Sequence, residues 1–198
     1  MSCGRGALFR EMLAVGDLRS DGLASEVAGL VLARPELLVD LVAVLSDAHP
    51  AARGHAADAL ERVSRESPRQ VGRYLSRLLT VVGDDEVAMV RWHLAMILAK
   101  VTRSAATARR TAPALLALLD DPSAFVRAWA ASGLCLVGRQ FDDFTDEILP
   151  ALRRLESDRS IAVRRRAAAA VGLLIDPDRP VPRSWVKGSS TAVSARHG

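Results

Sequence analysis

His55 and His93 are the side chains in this sequence best suited to holding a metal, and they stand at equivalent places in two copies of a repeated segment. Zinc takes nitrogen ligands at about 2 Å, whereas packed neighbouring helices run about 8–10 Å apart. One ion cannot be shared at that separation without further ligands, so both rings are read as ordinary surface or hydrogen-bonded histidines and no metal is expected. The acids Asp142, Asp143, Asp146 and Glu147 in FDDFTDEILP offer a second cation candidate. They lack the oxygen-ligand spacing and turn glycine of a calcium loop, and acids in a first helical turn suit the helix dipole better. Two cysteines, Cys3 and Cys135, form neither a disulfide framework nor a thiolate cage. Cys135 lies among apolar residues and reads as an inert buried thiol. The phosphate-loop, H-E-x-x-H, G-x-S-x-G and C-x-x-C patterns are missing. No catalytic residue, cofactor or metal is therefore assigned, and a non-enzymatic role is expected.

The most regular chemistry in the chain is a pairing of acid and base. Asp47, Asp85, Asp121 and Asp158 lie 38, 36 and 37 residues apart, and Arg53, Arg91, Arg127 and Arg164 repeat those intervals six residues later. Apolar columns keep the same register: Leu41, Leu79, Leu115 and Leu152 precede the aspartates by six, and Val44, Val82, Leu118 and Leu155 precede them by three. Pro113 and Pro150 share a place eight before the aspartate, which suggests a bent first helix. Each unit reads as a helix, a turn headed by Asp, and a second helix opening near Val-Arg. The aspartate can accept backbone N–H bonds where the next helix starts. The arginine, one turn into that helix, can reach the aspartate of the adjacent unit with its planar fork. These eight residues are expected to form a structural ladder between repeats.

The recurring P-x-L-x-x-L-x-x-D-x-x-x-x-V-R-x-x-A-A-x-A-L pattern resembles the HEAT repeat, including its phycobilisome-lyase-type variant, over roughly residues 36 to 175. That resemblance implies an all-α fold, a right-handed α-solenoid of stacked antiparallel helix pairs. The expected organisation is an N-terminal capping helix pair over 1–34, lacking the Asp and Arg columns, and four repeats at about 35–67, 68–104, 105–140 and 141–176. A Pro/Gly/Ser-rich basic tail over 177–198 is expected to be flexible.

If the resemblance holds, the second helices line a concave wall. Helical periodicity then points His55, Arg62, Trp92, His93, Met96, Lys100, Trp129, Ser132, Arg165 and Arg166 away from the core. Two readings of Trp92 and Trp129 stand: exposed anchors for a partner, or wedges between helices.

At 198 residues with 49% apolar and only 4% aromatic side chains, the chain has enough Ala, Leu and Val for closely packed helices. The net charge of +4 resides mostly in the tail, where Arg179, Arg183, Lys187 and Arg196 face Asp178 alone. Arg10 and Glu11 interrupt any signal-peptide apolar region, and no apolar run reaches membrane-spanning length, so a cytoplasmic, membrane-free monomer is expected. The leading function is a protein-interaction scaffold that binds a protein or peptide segment on the concave wall. The alternative is nucleic-acid binding of the kind found in HEAT-like DNA glycosylases. Trp92, Trp129, Arg165 and Arg166 would supply aromatic and phosphate contacts, but the only inward carboxylates are Asp58 and Glu61 at one end. A lyase-type role is implied by the resemblance alone.

Overall fold

The computed structural model describes residues 3–186, and among them every regular element is helical. An N-terminal pair, α1 (Cys3–Leu13) and α2 (Ala24–Ala33), precedes a 3-10 turn opened by Pro35 and then α3 (Leu38–Val44) and α4 (Pro50–Glu66). Next come α5 (Pro68–Gly72), α6 (Leu75–Asp84) and α7 (Ala88–Val101), then α8 (Ala105–Ala117) and α9 (Ala124–Gln140). The last pair is α10 (Thr145–Arg154) and α11 (Ile161–Ile175), followed by a single turn, α12 (Arg183–Val186). Pro113 and Pro150 lie inside α8 and α10.

Two layers result. Helices α2, α4, α7, α9 and α11 pack side by side as one continuous layer, while α1, α3, α6, α8 and α10 cover its back and touch one another far less. A stack that is closer on one side than the other bends toward the closer side, so the second helices form the inner wall. Small residues permit that approach: Ala52, Ala56 and Ala59 of α4 and Ala130 and Ala131 of α9 are fully buried. A methyl group added at Gly133 would lie 3.3 Å from the Ala95 carbonyl oxygen of the adjacent inner helix. The molecule is an all-α solenoid of stacked antiparallel helix pairs.

The apolar columns meet between the layers, with Leu41, Leu115 and Leu152 wholly buried. Unit two departs from the register, since Leu78 takes the buried place and Leu79 is only half-buried. Its first helix is also split at Arg73 and Tyr74 into α5 and α6, and it ends without the 3-10 turn that closes the first helices of units three and four. The unit with the longest spacing thus absorbs its extra residues in the outer layer and leaves the inner wall in register.

The tail requires a correction. Residues 177–186 do not hang free: Trp185 is 6% exposed and belongs to the main core cluster. Burial of a large indole outweighs the polar, proline-rich composition around it. The remainder of the expected tail, 187–198, lies outside the described residues.

Candidate functional site: the inner wall and its two terminal covers

Each ladder aspartate first closes its own turn. Oδ1 accepts the backbone N–H two residues on: His49 for Asp47 at 2.8 Å, and Val87, Ser123 and Ser160 for Asp85, Asp121 and Asp158 at 2.7 Å. The arginine of the same unit donates Nη1–H back to that aspartate's carbonyl oxygen, at 3.0 Å for Arg53, 2.8 Å for Arg91, and 2.7 Å for Arg127 and Arg164. The rest of the fork crosses to the following unit. Arg53 Nε reaches Asp85 at 2.7 Å, Arg91 Nε reaches Asp121 at 2.5 Å, and Arg127 reaches Asp158 through Nε at 2.7 Å and Nη2 at 2.8 Å. One guanidinium therefore fixes both its own turn and the junction beyond. The N-terminal pair takes part as well: Arg10 Nε of α1 lies 2.7 Å from Asp47 Oδ2. The cap lacks the Asp and Arg columns, and a first-helix arginine takes the place of the missing second-helix one.

The Arg127 guanidinium holds the Asp158 carboxyl below the usual carboxylate range, aided by the Ser160 N–H, and Asp158 in turn raises the arginine. Glu61, completely buried on α4, has burial pushing its carboxyl up. Its bonds to Arg65 and the charge of Lys100 outweigh that, leaving it below the usual value. Both acids titrate lower folded than unfolded. Their contribution is therefore complete above an unfolded-state value of about 4 and is lost as pH falls through the folded-state values. The thermal midpoint is expected to drop below about pH 4, and less steeply in Asp158→Asn. Identical acid slopes in the two proteins would show that the ladder pair contributes nothing to acid stability.

The inner-wall stripe is far less open than helical periodicity suggests. His55 is fully buried, with Nδ1 2.8 Å from the Leu13 carbonyl oxygen and Nε2 3.1 Å from those of Asp17 and Ser20. It anchors the loop between α1 and α2 and is no groove residue. That loop fits because Gly22 adopts φ +50°, and a methyl group there would come within 2.8 Å of the His55 ring. Arg62 fastens the same loop, donating to Asp21 at 3.0 Å and to both carboxylate oxygens of Asp58 at 3.1 Å.

Met96 and Ser132 are also buried, at 5% and 1% exposure, and leave the groove set. Ser132 Oγ–H donates to the Ala128 carbonyl oxygen at 3.2 Å, and Arg166 of α11 closes over it. His93 is nearly buried: Nδ1–H donates to the Met89 carbonyl at 2.9 Å and Nε2 accepts from Trp92 Nε1–H at 3.3 Å. Lys100 donates to buried Glu61 at 2.6 Å and ties α7 to α4. Among the described residues no three His, Cys, Asp or Glu side chains gather as a metal-holding group. Cys135 is buried, its thiol pushed up to about 12 by desolvation. Asp142 and Asp143 are exposed in the 3-10 turn that precedes α10, and Asp146 and Glu147 are exposed in the first turn of α10.

At the other end the C-terminal segment covers the wall. Arg139 donates to the carbonyl oxygens of Arg179 at 2.6 Å and Pro177 at 2.5 Å. The Arg166 guanidinium carbon stands 4.6 Å from the Trp129 ring centre and 5.2 Å from that of Trp185, with Nη1 donating to Ser132 Oγ at 2.8 Å. Desolvation lowers the Arg166 pKa, and a desolvated cation gains most from aromatic faces.

Between the two covers an aromatic window remains. Trp92 is half-buried and stacks at 5.4 Å against Phe125, which is 66% exposed. Trp129, half-buried, follows one turn further along α9, and Arg165 is exposed beyond it. The tryptophans thus pack on the core with part of each ring left open, between the two readings given to them. Phe125 and Trp185 are the residues that repeat-column reasoning overlooked. Phe125 falls in no conserved column, but it sits two before Arg127, where the preceding unit has Met89. Trp185 is a large apolar side chain in a polar tail, which is itself a signal of docking.

A HEAT-repeat family model matches residues 38–135 and 112–182, more than half the chain. The protein is a helical-repeat solenoid, and within that class it belongs to the HEAT-repeat family. No curated protein matches it in sequence. Among solved structures it is similar to computationally designed armadillo repeat proteins for modular peptide recognition, with TM-score 0.58, 21% identity, and coverage of 83% of this chain and 72% of that one. It is also similar to an engineered protein with TM-score 0.60, 16% identity, and coverage of 87% and 80%. No helix among the described residues is long and apolar enough to cross a membrane.

Proposed function

We propose that the protein is a non-enzymatic interaction scaffold whose inner wall binds a segment of a protein partner at the window formed by Trp92, Phe125 and Trp129. The observation that carries this reading is the exposure of Phe125 beside a half-buried tryptophan, on a wall whose two ends are covered by the chain's own terminal segments. Aromatic side chains fixed by packing and open on one face are the usual anchors of binding hot spots. The likeness to a scaffold designed for peptide recognition supports the reading at the level of fold. The glycosylase-like alternative needs an available inward carboxylate, and Asp58 and Glu61 are engaged by Arg62 and by Arg65 and Lys100.

A displayed random-peptide library selected on the wild type tests this reading. Enriched peptides are expected to lose about 30-fold or more in affinity for Trp92→Ala/Phe125→Ala, the scale of a hot-spot loss. Peptides bound equally by both proteins would overturn it. Binding to labelled DNA that declines steeply with salt and ignores the aromatic substitutions would favour the nucleic-acid alternative.

A further inference from the structure

The C-terminal cover is bound as a peptide is bound. From Ile175 to Pro180 every residue is exposed; Asp176 to Arg179 form a turn closed by the Arg179 N–H on the Asp176 carbonyl oxygen at 3.3 Å, and Pro180 to Pro182 carry no regular structure before the single turn of α12. The segment meets the wall through two carbonyl oxygens held by Arg139, through Val181 packed on the core, and through one indole lodged beside Arg166. Trp185 is nine-tenths buried, while its neighbours Arg183 and Ser184 are exposed. The slot that receives it is built from the wall itself. Trp129 backs the Arg166 guanidinium, Ser132 fixes the guanidinium's orientation, and Arg139 presents donors for the carbonyl oxygens of the preceding turn.

Resting on the reading of the inner wall as the partner surface, we propose that this slot is an indole-binding subsite of that surface. Trp185 closes it from within the chain, and the external ligand is a partner segment bearing a tryptophan a few residues after a proline-containing turn. The subsite adjoins the open window through Trp129, so one segment can run from Phe125 to Arg166. A ligand arriving from solution competes with a tethered one, whose effective concentration over a short linker is on the order of millimolar. Occupancy by the tail therefore sets a threshold that a weak ligand fails to cross and a tighter or longer one passes.

The probe is a fluorescent peptide with the sequence of residues 176–187, DPDRPVPRSWVK, titrated against the full chain. Trp185→Ala is expected to bind it at least about 10-fold more tightly than the wild type does, because the tethered competitor is gone. Binding should be lost when the peptide's tryptophan is replaced by alanine, or when Trp129→Ala is added to the protein. Equal affinity for wild type and Trp185→Ala, or no binding to a Trp185→Ala protein of wild-type helicity, would overturn the proposal.

Should Trp185→Ala fail to fold, hydrogen exchange on the wild type decides. Amides 183–186 are expected to exchange faster when the peptide is added at millimolar concentration, and unchanged exchange would overturn the proposal. The outcomes separate from those of the functional reading. Peptide capture at the slot with library binding indifferent to Trp92 and Phe125 removes the window alone. Aromatic-dependent library binding with no capture of the tail peptide removes the slot alone.

Discussion

Arg127→Met lowers the free energy of unfolding by about 3–5 kcal/mol, the range seen when one partner of a buried ion pair is deleted. The side chains of Arg127 and Asp158 are only 6% and 8% exposed. Deletion leaves the carboxylate with the Ser160 N–H and only the through-space charge of Arg159, and it also removes the donor that the Asp121 and Pro122 carbonyls share. Arg127→Lys restores little, because an ammonium carries the charge but cannot span its own turn and the next aspartate at once. Arg10→Met provides the internal comparison: its side chain is 60% exposed, and the expected loss is at most about 1 kcal/mol. Urea unfolding of the variants measures the difference directly. A loss below about 1 kcal/mol for Arg127→Met would show that the ladder accompanies the stacking of repeats and does not enforce it.

Glu61→Ala produces an effect of similar size, about 3–5 kcal/mol, on the inner wall. Glu61 is completely buried and accepts from Arg65 Nε at 2.9 Å and from Lys100 Nζ at 2.6 Å. Removing it leaves Lys100, 11% exposed on α7, without the carboxylate that justifies its burial, and breaks the tie between α4 and α7. The double replacement Glu61→Met/Lys100→Met should recover most of the loss, since apolar side chains of similar size often replace a buried pair without net destabilisation. Urea midpoints of the single and double variants decide the point. A double variant as unstable as the single one would show that the damage comes from packing and not from stranded charge.

The repeat was legible because its chemistry is local. An aspartate that closes a turn and an arginine six residues later occupy the same relation in every unit, so four copies align without gaps inside the motif. The inner face was legible only in part. Periodicity correctly set His55, Met96 and Ser132 on the second helices, but it could not show that the α1–α2 loop lies over His55, that Arg166 reaches Ser132, or that Met96 is buried. The contacts of His55 and Ser132 join residues more than thirty positions apart, and those of His55 depend on the N-terminal loop returning to the wall. Trp185 was misjudged for the same reason: composition describes a segment's average, whereas docking is decided by a single side chain that finds a slot. Arg10 escaped the column analysis because it serves the ladder from the first helix of its pair.

The ladder has a direction. Arg53, Arg91 and Arg127 each grip their own turn with one nitrogen and the following turn with the others, so the three joints between the four repeats carry the same complementary halves, donor ahead and acceptor behind. Such a coupling is indifferent to how many wagons stand in the train. A whole unit duplicated or excised between two joints leaves matching halves to meet again, which allows the length of the wall to change in single steps while the couplings stay as they are.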